Sequence, residues 1–592
     1  MLPFGVTFYP DQWPVETWEE NFREIKKSGF NVVRFGEMAW DWLEPAPGKF
    51  DFAGLDRAMN ICHKHGIKVL LGIPTSQVPP WFYRLWPNSR PVAQDGTLYP
   101  EAGPRPNICK DNPHYRKLAE RLTRKLVARY KNHPALLYWQ IDNEPVYPPL
   151  DHTTMNDFCH CQHTRRAFIS WTKKRYGSLK KVNEVWGTKF WTNHLSSFED
   201  ITTPKAGIWE AVSPHIFLDW FRFKTDSLAG WIGYLAKIVK QLDGKHKVGA
   251  NGFIGISTRV PDHSIMVQGL DWYGLDIYPK GGRMGKTDLA FMLDLWRSFA
   301  RAGHAEFHIT EMQGGQNVRW GCPDYVAGPE IKWWTEMAFE HGAQALLYHA
   351  WRPPLFGAET AGFGILKADG SSTKRLDVIK KLAKSIPHSS FRNPHSKLAI
   401  AYLRSSEVQT YQEQGPPRGV AGQWEPVRVD IGLLHGMMSI QGAYQLAAKK
   451  HKLIDFIFEQ DLTAGNIPYR TLLLPDPYLL SKQQFANLKK WVAQGGTLIT
   501  ESRFGLKDEN GHLYPNPLLE ALLGVTWDHG EMNADGFLDV LAGHPKKNLL
   551  ITKKIGRGKV LYANFSLFSV IQKGASKWRN TATLIKTIKN TL

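Results

Sequence analysis

Short apolar runs recur along the first 390 or so residues, each long enough for one strand. They lie at 4–8 (FGVTF), 31–35 (NVVRF), 68–73 (KVLLGI), 136–141 (LLYWQI), 247–250 (KVGA), 271–277 (DWYGLDI), 306–310 (EFHIT) and 345–349 (ALLYH). Between them run amphipathic stretches such as Glu16–Lys27 and His114–Tyr130, with apolar residues at helical spacing. Eight β-then-α units in a row predict an α/β fold, a (β/α)8 barrel. An open doubly wound sheet would need a Gly-rich phosphate turn after the first strand. Tyr9-Pro-Asp-Gln-Trp-Pro14 offers none. The segment 150–245 is too long for an ordinary βα connection and rich in Trp, His and Lys. It reads as an elaborated loop with helices, covering the barrel mouth or forming an interface.

Around 390–397 the pattern changes. A new strand starts at Leu398-Ala-Ile-Ala-Tyr402, followed by a helix near 426–448. The runs Lys452–Phe458 and Tyr469–Pro475, a helix at 481–493 and the run Gly495–Thr500 follow. This predicts a smaller α/β domain with a parallel sheet over 396–592, after a barrel over 1–392. It carries neither a P-loop nor a dinucleotide fingerprint, so nothing marks it as catalytic.

Composition is that of an ordinary globular protein, with 43% apolar and 22% charged residues. Tryptophan is abundant, at 23 residues; most should serve the core, and a few could stack on sugar rings. The net charge of +19 is uneven, because residues 541–592 hold eleven Lys or Arg and no acidic residue. It reads as a solvated basic tail or as attraction to a polyanion, a nucleic acid or an acidic polysaccharide; no nucleic-acid motif accompanies it. Five cysteines are too few for a disulfide framework. Met1-Leu-Pro-Phe-Gly runs directly into the first strand, and no stretch of about 18 apolar residues exists. The expectation is a cytoplasmic protein with neither membrane nor nucleic-acid partners.

Two of the runs end in a glutamate. Tyr138-Trp-Gln-Ile-Asp-Asn-Glu-Pro145 closes the fourth with Glu144, and Phe307-His-Ile-Thr-Glu-Met-Gln313 closes the seventh with Glu311. A carboxylate at the C-terminal end of a barrel strand lies where such barrels keep their catalysts. Two of them facing each other across the mouth are the groups that glycosidic cleavage needs. Asn143 can donate to a sugar 2-OH, and an ionised Glu311 would favour a protonated Glu144.

These segments resemble the clan A glycoside hydrolases, and others resemble glycoside hydrolase family 42, mainly β-galactosidases. Phe4–Pro14 resembles its opening strand, and Val33-Arg-Phe-Gly-Glu-Met-Ala-Trp40 with Leu43-Glu-Pro45 its second. Trp351-Arg352 with Phe356-Gly-Ala-Glu359 resembles its eighth-strand loop, and Leu479–Thr500 with Asp508-Glu-Asn510 its trimerisation domain, a flavodoxin-like unit. The resemblance implies a retaining, exo-acting β-galactosidase and a homotrimer. Glu144 would be the acid/base and Glu311 the nucleophile, with no catalytic cofactor. Arg34, Arg105, Asn143, Tyr278, Trp320 and Glu359 would bind the sugar; a structural ion pair is the other reading for Arg34 with Glu37.

The chain also departs from the family. A histidine that helps hold galactose is replaced by Gly362, and the family's small C-terminal β domain is not evident. The family's zinc cluster is altered: Cys109, Cys159 and Cys161 match, but position 164 is Thr. His163 or His160 would then complete a Cys3His structural zinc site. Two alternatives remain, the first motivated by Gly362 and the basic charge. One is an exo-hydrolase of β-galactosidic bonds in anionic, carrageenan-type oligosaccharides. The other is a catalytically silent carbohydrate-binding protein.

Overall fold

The computed structural model describes residues 2–101, 108–147, 158–205, 213–253, 261–318, 323–386, 395–414, 435–525, 527–532, 539–541, 550–572, 586 and 588. The eight apolar runs form eight parallel strands: β1 (Phe4–Thr7), β2 (Val32–Phe35), β3 (Lys68–Ile73), β4 (Leu136–Ile141), β5 (Lys247–Gly252), β6 (Trp272–Ile277), β7 (Glu306–Gln313) and β8 (Ala345–His349). They pair in sequence order, and β8 closes on β1 with Phe4 opposite Leu346. Each strand is covered on both faces, which is why the runs are continuously apolar.

Side chains alternate between the two faces of a strand, so residues two apart share one. Val32, Leu70, Trp272 and Leu347 form a small core cluster of their own. Two residues further along the same faces stand Arg34, Gly72, Gly274 and His349. The strands thus lift Arg34 and His349, with two glycines between them, above an apolar layer at their C-terminal ends.

Helices between the strands carry the signals expected of them. In Pro113–Tyr130 the Asn112 side chain accepts from the backbone of His114 and Tyr115, and proline takes the first turn, where no N–H is needed.

The second domain adds β9 (Leu398–Tyr402), β10 (Asp455–Phe458), β11 (Thr471–Leu474), β12 (Thr497–Thr500), β13 (Trp527–Met532), β14 (Asp539–Leu541), β15 (Leu550–Ile555) and β16 (Gly558–Ala563). Its main sheet runs β10-β9-β11-β12-β16-β15, with only β15 antiparallel. The first five positions follow the flavodoxin-like order. β13 and β14 pair apart from this sheet. The expected helix near 426–448 is seen as His435–Ala447, its first part lying outside the described residues. The domain boundary near 392–396 falls largely outside them too.

The segment 150–245 supplies helices Gln162–Tyr176, Leu179–Val185 and Pro214–Leu242. Its described part builds an interface. Phe168, Val182, Trp186 and Phe217 share a core cluster with Leu403, Leu479 and Leu506 of the second domain. His215 and His512 each bond across it to a backbone carbonyl, Asn510 and Val185, at 2.8 Å.

Candidate active site

Arg34 is the hub of the site and is fully buried. It donates through Nε to Gln140 Oε1 (2.7 Å), through Nη1 to Glu311 Oε1 (2.8 Å) and through Nη2 to Asn143 Oδ1 (2.6 Å). Glu37 Oε1 lies 3.3 Å from Nη2. The ion pair expected with Glu37 is present, and the same guanidinium also holds Glu311. Burial pulls its pKa down, but Glu37 and Glu311 outweigh that and hold it well above the ordinary arginine value.

Glu311 lies within β7, where the pairing register to both neighbouring strands shifts. Tyr278, just past β6, donates its hydroxyl to Glu311 Oε2. Burial, then the charge of Glu311, keeps that phenol protonated. A guanidinium and a phenol aimed at one carboxylate favour its anion.

Glu144 stands three residues past β4 with φ +46°, in the left-handed region, as does Asp142 at +59°. Its backbone N–H donates to Asn251 Oδ1 at 2.9 Å, and Asn251 Nδ2 donates to Asn143 Oδ1 at 2.9 Å. Asn251, at the end of β5, thus clamps the turn carrying Asn143 and Glu144.

A third carboxyl joins the pair. Asp276 of β6 sits opposite Glu311 in the strand register, and one oxygen each of Glu144, Asp276 and Glu311 lie within 4.8 Å of one another. Asp276 accepts from Thr310 Oγ1 (2.6 Å) and Asn251 Nδ2 (2.5 Å). Burial, then Glu311 and Glu144, raise its pKa well above the ordinary aspartate value. Like charges this close do not all ionise together.

His349 ends β8. Its Nδ1 meets Thr7 Oγ1 at 3.0 Å and its Nε2 faces Glu359 Oε2 at 3.4 Å. Asp276, Asn251 and His349 were not among the expected site residues. His349 ends its apolar run and Asp276 lies one residue before the end of its own, which was the available signal. Arg34, Asn143, Tyr278 and Glu359 all reach the site; Arg105 and Trp320 lie outside the described residues.

Away from the mouth, the thiols of Cys109, Cys159 and Cys161 lie within 4.8 Å of one another. Cys161 Sγ is 3.5 Å from Cys109 Sγ, and Thr164 Oγ1 is 3.1 Å from Cys109 Sγ. His163 is not in this group, and His160 bonds Thr203 at 2.8 Å instead. The helix beginning at Gln162 is the reason: residue 164 shares a face with Cys161, and residue 163 turns away from it.

No helix among the described residues is long and apolar enough to cross a membrane.

Known proteins give the same picture. The glycoside hydrolase family 42 profile, described as beta-galactosidase, matches residues 7–388, and that of the beta-galactosidase trimerisation domain matches 402–536. Beta-galactosidase BgaB of Geobacillus sp. is 28% identical over 88% of this chain and 74% of its own length. A beta-galactosidase of Thermus thermophilus is 31% identical over 64% of this chain and 60% of its own. Among solved structures, the beta-galactosidase of Halorubrum lacusprofundi superposes with a TM-score of 0.83 at 23% identity, covering 97% of this chain and 89% of that one. That of the psychrophilic Marinomonas ef1 gives 0.80 at 22%, covering 100% and 92%. At such identities the structures speak for the fold alone. The profile match spans well over half the chain, and the chain belongs to glycoside hydrolase family 42.

Proposed function

We propose that the protein is a retaining, exo-acting β-galactosidase working by double displacement. One observation carries this: Glu144 and Glu311 converge to within 4.8 Å, oxygen to oxygen, at the barrel mouth. Retaining glycosidases hold their carboxyl groups roughly 5–5.5 Å apart, whereas inverting ones leave room for a water. The surroundings divide the roles. Glu311, charged and held by Arg34 and Tyr278, attacks the anomeric carbon. Glu144 gives its proton to the glycosidic oxygen as the C–O bond breaks and the aglycone leaves. Glu144 then takes a proton from water, whose oxygen attacks the same carbon and displaces Glu311. Asn143, oriented by Arg34 and Asn251, is placed for the sugar 2-OH. No cofactor takes part in these steps. The substrate class comes from the family and the named relatives; the anionic-galactan alternative finds no support there and is set aside. Paired carboxylates with a built proton donor go beyond what a silent binding protein requires.

A 2-deoxy-2-fluoro-galactoside with a good leaving group tests the reading. Mass spectrometry should find the sugar ester-linked to the peptide holding Glu311. Label on another residue, or release of the opposite anomer in an NMR time course, would refute double displacement through Glu311.

Two further readings rest on the same relationships. We propose that the protein assembles as a homotrimer through its second domain, and light scattering should give three chain masses; a monomer would contradict this. We also propose that Cys109, Cys159 and Cys161 hold a structural zinc. Sulfurs at about 2.3 Å from a tetrahedral ion lie about 3.8 Å apart, close to the spacing of Cys109 and Cys161. Thr164, not a histidine, stands nearest the fourth position.

A further inference from the structure

Gly362 stands where the family resemblance implied a galactose-binding histidine, and a Cβ at that position would lie 2.5 Å from Val318 Cγ2. An imidazole nevertheless stands at the mouth, on a different element. His349 is the last residue of β8, one layer above Leu347 in the barrel interior. It is 5% exposed and ringed by aromatic groups, with Phe363 at 5.3 Å, Tyr9 at 6.1 Å and Tyr278 at 6.2 Å between centroids. Thr7 fixes one ring nitrogen, which aims the other at Glu359. The Glu359 side chain is 31% exposed, so this pair faces the opening.

We infer that His349 is a specificity-determining residue that, with Glu359, binds one hydroxyl of the galactosyl unit. This rests on the galactosidase reading above. A separation of 3.4 Å is long for a direct N–H···O bond. It suits two groups sharing a third: a hydroxyl oxygen about 2.8 Å from both would close a triangle, accepting from Nε2 and donating to the carboxylate. Each part has its complement, donor to lone pair and acceptor to proton. The surrounding charges favour the donor form. Burial lowers the pKa of His349, and the carboxylates of Glu311 and Glu359 outweigh it and Arg34, so the net direction is upward. A hydrogen bond from such a donor discriminates by about tenfold to a hundredfold.

The test is kcat/KM on nitrophenyl β-galactoside and its monodeoxy analogues, for the wild type, His349→Phe and His349→Gln, with melting curves for each. In the wild type, one deoxy position should cost at least tenfold. In His349→Phe the parent substrate should fall to that level, and the penalty at that position should shrink below threefold, while the other positions keep theirs. His349→Gln, which retains an N–H, should be intermediate, and it serves alone if the phenylalanine variant does not fold. Unchanged penalties at every position in an active, folded variant would overturn this inference and leave the galactosidase reading standing. A wild type inert on the parent galactoside would overturn both.

Discussion

Arg34 is fully buried among four polar partners, and no other side chain could serve them all. Its planar fork reaches Gln140, Glu311 and Asn143 at 2.6–2.8 Å. Arg34→Ala should leave two buried carboxylates without their cation and cost about 3–5 kcal/mol in urea denaturation. Arg34→Lys, a point charge in place of a fork, should remain folded yet lose Asn143 or Glu311. Glu144→Ala and Glu311→Ala should lower turnover by several orders of magnitude while circular dichroism stays unchanged; near-normal activity in either would sink the assignment. The two glutamates were legible because a carboxylate closes an otherwise apolar run. His349 closes its run and Asp276 stands next to last in its own, but their meaning depends on neighbours across the barrel. Asp276 matters because the β6–β7 register sets it opposite Glu311, and register is not written in either strand alone.

Among the elements, the strand ends carry the chemistry, and a short helix carries a pH response. His263, on the short helix His263–Met266, bonds Tyr273 OH at 2.7 Å and packs at a tilt against Trp296. Burial, then Arg404, lowers its pKa from 6.5 to about 3. The unfolded chain takes up this proton as pH falls below 6.5, and the folded one does not until about 3. Stability should therefore decline through that window, by roughly 3–5 kcal/mol from this group. Chemical denaturation from pH 7 to pH 4 checks it, and His263→Phe should flatten the slope. The cysteine cluster was legible from spacing, but its fourth member was not. Helical phase decides it, turning Thr164 inward and His163 away. Elemental analysis should find close to one zinc per chain; under a tenth of an equivalent would end that proposal.

For the molecule as a whole, helix Lys286–Ala302 joins barrel to second domain through buried charge. Asp294 accepts from Tyr444 OH at 2.8 Å and Ile454 N at 3.0 Å, and Arg297 donates to Asp455 at 2.8 Å. Asp294→Ala should cost about 3–5 kcal/mol and divide one thermal transition into two. Preserved single-transition melting would show that the apolar contacts suffice to couple the domains. The two-domain plan was readable from strand spacing. The role of 150–245 was not, because the amphipathic faces of a long insertion do not reveal whether they meet the mouth or another domain.

The left-handed backbone of Glu144 has a consequence beyond the reaction. A glutamate at φ +46° beside two other carboxyls is a local choice against stability, on the order of 1–3 kcal/mol. Asparagine tolerates that conformation and brings no charge. Glu144→Asn should therefore melt at a higher temperature than the active enzyme while cleaving nothing. Screening for thermal tolerance alone would then select against catalysis at this position, and a stabilised library should be sorted on turnover before it is sorted on heat.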